Sequence, residues 1–221
     1  MKACKSLTVS LVVLWSVTAL AQDPVKVDPT HYKPLFENAT VRVLKIDYAP
    51  GSKSPMHEHP DAIVVPLVDS KVRFTMPDGK SIENTLANET AMYTPAGTHS
   101  PANIGTARID AILVELKSAA GKAALPASRP GMAMKVLAEG PKGMAYRTTA
   151  DPTFHEPAGS KHDFDQVVIA LNPAQLALTV DGKPVKTTWA RGDVHFIGRG
   201  VPHESKNGSG KPVDFAIIAI K

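Results

Sequence analysis

Three histidines in the first half of this sequence have the type and spacing of a metal site. His57 and His59 are two residues apart, so on a β-strand both imidazoles point to one face, with Cα atoms roughly 6.6–7 Å apart. Neutral imidazole is a common protein ligand for Zn, Fe, Cu and Ni. A third ligand must come from another strand, and His99, which follows the turn Pro95-Ala-Gly97, is the candidate. The pattern predicts that His57, His59 and His99 hold a divalent metal ion.

The elements that must position these residues are short strands. The sequence has 19 prolines and 15 glycines, and the runs between them are rich in Val, Ile and Thr and have the length of strands. Asp78-Gly79 and Asp181-Gly182 are typical of hairpin turns, and no segment shows a long helical period. The pattern predicts an all-β protein.

Two halves of the chain repeat one another. Asp78-Gly79-Lys80 and Asp181-Gly182-Lys183 are 103 residues apart, and His99-x3-Asn103 and His203-x3-Asn207 are 104 apart. Landmarks that stay in register, with one single-residue slip, indicate two copies of one β unit. The expected organisation is an N-terminal domain over 22–118, a Pro/Gly-rich linker over 119–131 and a C-terminal domain over 132–221.

The histidine motifs resemble those of a known family. Gly51-x5-His57-x-His59 and Pro95-x-Gly97-x-His99-x3-Asn103 resemble the two motifs of the cupin superfamily. Gly192-x5-Gly198-x-Gly200-x2-His203-x3-Asn207 resembles the second motif, with Gly198 where proline is usual. The resemblance covers residues 35–221 and implies two tandem jelly-roll β-barrels. It also implies a metal held by the two histidines of motif one, a glutamate four or five residues later, and the histidine of motif two.

The expected glutamate is missing from the first copy. Ile63 and Val64 occupy its positions, and neither side chain binds metal. Asp61 shares strand parity with the two histidines, so we expect it beside the metal but not bound to it. The remaining three-histidine set resembles that of iron dioxygenases such as thiol dioxygenases and the acetylacetone-cleaving enzyme. The surrounding sequence is also similar to small cupins linked to β-alanine degradation.

The second copy lacks one histidine, because Ser160 stands where the 103-residue offset places His57. At the same offset Gln166 is aligned with Ile63. The remaining candidate ligands are His162, Gln166 and His203. Glutamine is a poor ligand beside imidazole, so the sequence favours a decayed second site. Glu156 lies upstream and is expected at most at the rim of the barrel.

The predicted chemistry depends on the metal. Three neutral ligands leave a divalent ion with its full charge, which favours a small, anionic, chelating substrate. Fe(II), which we favour, would offer open positions for substrate and O₂, whereas Zn(II) would activate water; Mn and Ni are left open. Met92 and Tyr93 precede Pro95, and one of them is expected to face the cavity. The alternative function is a non-catalytic, small-molecule-binding cupin of the periplasm.

The first 21 residues have the layout of a secretory signal peptide. Two lysines precede an apolar run over Leu7–Leu20, and a small-residue cleavage site ends at Ala21. Cleavage after Ala21 would give a periplasmic or secreted protein without a membrane anchor and would remove Cys4, the sole cysteine. Loss of the two lysines lowers the net charge from +4 to +2, which favours no nucleic-acid or membrane partner. A homo-oligomer is left open.

Overall fold

The computed structural model describes residues 22–117 and 123–221. The predicted signal peptide and part of the predicted linker lie outside these residues. One short helix, α1 (Pro24–Val27), precedes the strands, and the Asp23 carboxylate caps it by accepting a hydrogen bond from the Val25 N–H. In the described ranges, no helix is long and apolar enough to span a membrane.

The first barrel consists of nine strands in two facing sheets. The five-stranded sheet has the order β1-β2-β9-β4-β7 and the four-stranded sheet the order β3-β8-β5-β6. The strands are β1 (Tyr32–Glu37), β2 (Val41–Tyr48), β3 (His57–His59), β4 (Ala62–Pro66), β5 (Ser70–Thr75), β6 (Ser81–Leu86), β7 (Met92–Thr94), β8 (Gly97–Asn103) and β9 (Ile109–Leu116).

The second barrel repeats this arrangement strand for strand. Its sheets have the orders β10-β11-β18-β13-β16 and β12-β17-β14-β15, which are the first barrel's orders with nine added to each strand number. The strands are β10 (Met132–Glu139), β11 (Gly143–Ala150), β12 (His155–Ser160), β13 (Asp165–Ala170), β14 (Ala174–Val180), β15 (Lys183–Trp189), β16 (Val194–Ile197), β17 (His203–Asn207) and β18 (Val213–Ile220). The predicted all-β fold of two tandem jelly-roll barrels is confirmed.

Strand pairing corrects the sequence alignment of the two copies at one place. Ala62 pairs with Glu115 on β9, and Gln166 pairs with Ala219 on β18. Because β9 and β18 are related by 104 residues, Gln166 corresponds to Ala62 and not to Ile63. The constant 103-residue offset was wrong here because the second barrel has one more residue in the turn between β12 and β13.

Residues of β9 alternate between two hydrophobic cores. Ala111 and Leu113 face the interior of the first barrel, whereas Ile112, Val114 and Leu116 pack against the second barrel. Burial on both faces explains why β9 and its counterpart β18 are apolar almost throughout, since both side-chain faces of the strand are removed from water. The two five-stranded sheets therefore share one core, which includes Ile169 and Ile218 of the second barrel.

Polar contacts also join the barrels. Arg147 donates a hydrogen bond to Glu89 at 2.6 Å and also pairs with Asp214 of its own barrel. The Nζ of Lys142 lies 2.8 Å from the Asp61 carboxylate. These ion pairs lie at the edge of the shared core, where partial exposure to water weakens each of them.

Two equivalent asparagines fix the loops that follow the motif-two histidines. The buried Asn103 donates from Nδ2 to the carbonyls of Tyr48 and Ala107, and its Oδ1 accepts from the Gly105 N–H. Asn207 makes the corresponding contacts in the second barrel, with Ala150 among its carbonyl acceptors. Each side chain thus satisfies backbone groups of the loop that follows it and of a neighbouring strand end.

Candidate metal centres

The first candidate centre lies in the cavity of the first barrel. His57 and His59 are the ends of β3, and both are buried while Glu58 between them is exposed, as strand alternation requires. Antiparallel pairing of β3 with β8 sets His99 directly opposite His57. The His99 ring centroid lies 5.2 Å from that of His57 and 4.8 Å from that of His59. The structure therefore brings the three predicted histidines together.

Backbone carbonyls fix the tautomers of two of these histidines. The Nδ1 of His57 lies 2.9 Å from the carbonyl of Pro55, and that of His59 lies 2.6 Å from the carbonyl of Pro60. Because a carbonyl oxygen only accepts, each Nδ1 carries the proton and each Nε2 of the neutral ring carries a lone pair that can accept a hydrogen bond or bind a metal. The Nε2 of His57 accepts a hydrogen bond from the Tyr32 hydroxyl at 3.1 Å, whereas that of His59 is buried without a partner.

Burial favours the neutral form of the His57 and His99 imidazoles. It lowers the pKa of His57, and the neighbouring His59 lowers it further. The pKa of His99 is lowered to about 3, first by burial and then by the proximity of His59 and His57. A neutral imidazole with a free lone pair is the form that binds a metal ion.

The other residues predicted near this centre take different positions. Met92 lines the cavity together with the three histidines. Tyr93, next in sequence, points the other way and packs on Gly140 of the second barrel. Asp61 also faces the second barrel, where it pairs with Lys142 and accepts the Ala96 N–H. Strand alternation predicts that Asp61 lies on the same face as His57 and His59. However, β3 ends at His59 and Pro60 follows it, so the alternation does not extend to Asp61.

The second candidate centre lies in the cavity of the second barrel. Glu156, His162 and His203 each offer a ligand atom, and these atoms lie within 4.8 Å of one another. The Nε2 atoms of His162 and His203 lie 3.9 and 3.6 Å from the two carboxylate oxygens of Glu156. Within residues 22–117 and 123–221, no other set of three His, Cys, Asp or Glu residues has its ligand atoms this close together. Two imidazoles and one carboxylate thus face one small volume.

A bulge in β12 aims Glu156 into this cavity. Glu156 pairs with Ser205 and Ser160 pairs with His203, so four residues of β12 span a distance that two residues of β17 cover. Gly159 lies in this stretch with φ of +79°, a backbone conformation that side chains other than glycine rarely adopt. In the first barrel the corresponding inward position is held by Ser54, whose hydroxyl donates to Asp28.

Hydrogen bonds orient the ligand atoms of the second centre. The Nδ1 of His203 lies 3.0 Å from the carbonyl of Val201 and therefore donates, while its Nε2 is buried without a partner. The Glu156 carboxylate accepts from Arg129 at 2.6 Å and from Ser205 at 3.2 Å. Burial, followed by the proximity of His203, lowers the pKa of His162 and so favours its neutral form.

The sequence identified part of this second centre. The cavity is lined by all three candidate ligands that the sequence indicated for the second copy, His162, Gln166 and His203. Glu156 was assigned only to the rim because it precedes the motif, in a stretch where the bulge shifts the register. Glu156 followed by a glycine-containing turn is the signal that could have indicated it, although the bulge itself has no reliable sequence signature.

Comparison with known proteins rests on structure. The sequence matches no protein-family model, and no curated protein matches it. The similarity to salicylate 1,2-dioxygenase from Pseudoaminobacter salicylatoxidans covers 84% of this chain and 70% of that protein, with a TM-score of 0.63 and 13% identity. Bacillus subtilis oxalate decarboxylase, which has Mn(II) centres, is similar over 82% of this chain and 69% of its own, with a TM-score of 0.60 and 12% identity.

The similarity to one further solved structure covers nearly the whole length of that protein. AerE from Microcystis aeruginosa is similar over 86% of this chain and 97% of its own, with a TM-score of 0.62 and 14% identity. A cupin 2 conserved barrel domain protein from Leptotrichia buccalis gives a TM-score of 0.58 at 14% identity. The resemblance to the cupin superfamily predicted from the motifs is confirmed at the level of the fold, which is that of a bicupin.

Proposed function

We propose that this bicupin binds a divalent transition metal and acts as a metal-dependent, dioxygenase-like enzyme on a small anionic substrate. The observation that carries the proposal is the convergence of Glu156, His162 and His203 in one cavity. Two histidines and one carboxylate, with coordination positions left open, are the donor set that non-haem Fe(II) oxygenases use. Fe(II) is therefore favoured, and Zn, Mn and Ni remain alternatives for the test below.

The residues of the second centre fit a metal ion. The buried Nε2 of His203 has no hydrogen-bond partner, and leaving a buried polar atom unpaired is unfavourable unless something binds it. The Val201 carbonyl holds the ring in the tautomer that presents this lone pair. A divalent ion bound here would supply Lewis-acid and redox chemistry at open coordination positions.

The chain itself supplies orientation and a largely apolar cavity. Arg129 and Ser205 hold the Glu156 carboxylate toward the histidines, and such contacts to metal ligands commonly change metal affinity 10–100-fold when removed. The remaining walls are largely apolar and include Trp189 and Phe215. Walls of this kind exclude bulk water and strengthen the electrostatic interactions within the cavity.

The first barrel is proposed as a second, chemically different metal site. The unpaired buried Nε2 of His59 beside His57 and His99 supports it. The donors in the first barrel are all neutral, so a divalent ion bound there would keep its full charge of +2. In the second barrel the Glu156 carboxylate would reduce the charge of the bound ion to +1. Tyr32 engages the Nε2 of His57 and would have to release it before that atom could bind a metal.

Export and partners belong to the proposal as well. The N-terminal pattern supports a secreted or periplasmic protein, and the enclosed cavities support a small-molecule substrate or ligand. A bicupin that captures a small molecule without turnover is the alternative function, and the charge pattern supports no nucleic-acid partner.

Metal analysis of the purified chain tests the proposal. We expect His203→Ala to remove the metal of the second barrel and His57→Ala to remove that of the first, as measured by mass spectrometry for each variant. Loss of metal and of O₂ consumption together in His203→Ala would support the enzyme. Ligand binding that survives metal removal would support the binding protein instead, and no uptake of Fe(II) or Zn(II) by the wild type would refute both metal sites.

A further inference from the structure

One arginine reaches the second cavity from outside its strands. Arg129 lies in the segment that connects the barrels, just before β10, and lines the cavity with His162 and His203. Its side chain is 24% exposed, so it lies at the mouth of the cavity, between the metal ligands and water. The turn that follows is fixed by the Met132 N–H, which donates to the carbonyl of Arg129.

Arg129 uses only part of its hydrogen-bonding capacity. Its Nη1 donates to Glu156 at 2.6 Å and to Ser160 at 3.2 Å. The Nε and Nη2 groups make no hydrogen bond to any described residue. A guanidinium has five N–H donors in a planar fork that matches a carboxylate, so Arg129 can bind Glu156 on one side and a second anion on the other.

The charges of the cavity favour such an anion. Arg129 and Glu156 neutralise one another, so a divalent ion bound by Glu156 would leave the mouth with two uncompensated positive charges. The first barrel differs, since no lysine or arginine is among the described residues that line its cavity. Only the second cavity therefore offers a fixed guanidinium that can bind a carboxylate directly.

The size of the cavity limits the ligand. Its volume is about 80 Å³, which leaves room only for a ligand of a few non-hydrogen atoms. Apart from the polar cluster around Glu156, the walls are apolar, with Met134 and Leu176 among them. A small acid with one charged end suits this space.

We propose that Arg129 is the substrate-carboxylate site of the second barrel, binding through Nε and Nη2 a small acid whose neighbouring oxygen donor reaches the metal. The inference rests on the proposed function and specifies its substrate class. Glycolate has this combination of a carboxylate and an adjacent hydroxyl, and glycolamide is its uncharged counterpart of nearly the same shape.

Calorimetric titration of the zinc-loaded chain tests the proposal without requiring turnover. All samples, including the reference chain called wild type here, carry His57→Ala, which removes the first site. We expect the wild type to bind glycolate at least about tenfold more tightly than glycolamide, because hydrogen bonds to a charged group are the stronger ones. Arg129→Gln should reduce that preference, because only the charge of the metal then favours the anion, and Arg129→Lys should restore part of it. Arg73→Gln, which breaks an exposed ion pair with Glu83 on the first barrel, is the matched control and should keep the wild-type preference.

Zinc content measured on the same samples separates the failure modes. If the wild type takes up no zinc, the proposed function fails and this inference with it. If zinc-loaded Arg129→Gln still prefers glycolate as the wild type does, the proposed function stands and the carboxylate site is overturned. Reduced zinc affinity with that preference intact would show that Arg129 only positions Glu156, which also overturns the inference.

Discussion

Ser160 stands in the second barrel where His57 stands in the first, because each lies directly across the sheet from the motif-two histidine of its own barrel. The serine removes one imidazole from the second centre. Glu156, four residues earlier and aimed inward by the bulge, supplies a carboxylate in its place. The two barrels thus share a backbone framework but present ligand sets of different charge.

Replacing the carboxylate should weaken the second centre selectively. In a His57→Ala background, which removes the first site, we expect Glu156→Gln to lower zinc affinity at least about tenfold, because the amide keeps the shape but loses the charge. Calorimetric titration measures the affinity. Glu204→Gln is the matched control, since Glu204 lies beside His203 but does not line the cavity. Equal losses in the two variants would contradict Glu156 as a ligand.

A histidine at the vacant position should compensate for that loss. We expect Ser160→His, introduced into the Glu156→Gln chain, to recover part of the zinc affinity, because the position repeats the pairing of His57 with His99. The same titration, with His57→Ala retained, gives the answer. No recovery in a folded triple variant would show that the β12 bulge turns this position away from the cavity.

The asparagines after the motif histidines should contribute strongly to stability. Asn207→Ala leaves three carbonyls and one N–H without their side-chain partner, and we expect a loss of about 2–4 kcal/mol in the free energy of unfolding. Urea denaturation measures it. Asn172→Ala, which removes one partly buried hydrogen bond, should cost less than about 1.5 kcal/mol. Similar effects from both variants would argue against the loop-fixing role.

The acid sensitivity of the fold should depend in part on Asp214. Burial by itself would raise the pKa of this carboxyl, but hydrogen bonds from Thr149 and Arg147 outweigh burial and lower the pKa. Because the folded pKa lies below the unfolded value of about 3.9, the stabilisation is present above that pH and is lost as the pH falls through the folded pKa. Asp214→Asn should therefore be less stable than the wild type at pH 7, and urea midpoints should converge below about pH 4. A constant difference between pH 7 and pH 3 would contradict this assignment.

The strands and the three first-barrel histidines were predictable because their signals are local. Strand periodicity sets the facing of His57 and His59, and turn residues mark where β8 begins before His99. The repeat was visible because charged and turn residues recur in register. These features depend on a few neighbouring residues, which a sequence displays directly.

The inward position of Glu156 and the contacts of Asp61 depend on irregular backbone and on the second barrel. A bulge changes which residues of β12 face inward, and one additional residue before β13 aligns Gln166 with Ala62. Asp61 lies in the turn after Pro60, and its partner Lys142 is distant in sequence. Such pairings follow from how the two barrels pack, which local periodicity does not contain.

The core shared by the five-stranded sheets has a consequence for either unit taken alone. A polypeptide with only one such unit would expose the face that Ile169 and Ile218 now bury, and it would associate with a second copy of itself. Joining the two units in one gene makes the pairing permanent and frees each cavity to change without its twin. Ser160 and Glu156 in one unit, against His57 in the other, are a difference that two joined units permit and an identical dimer forbids.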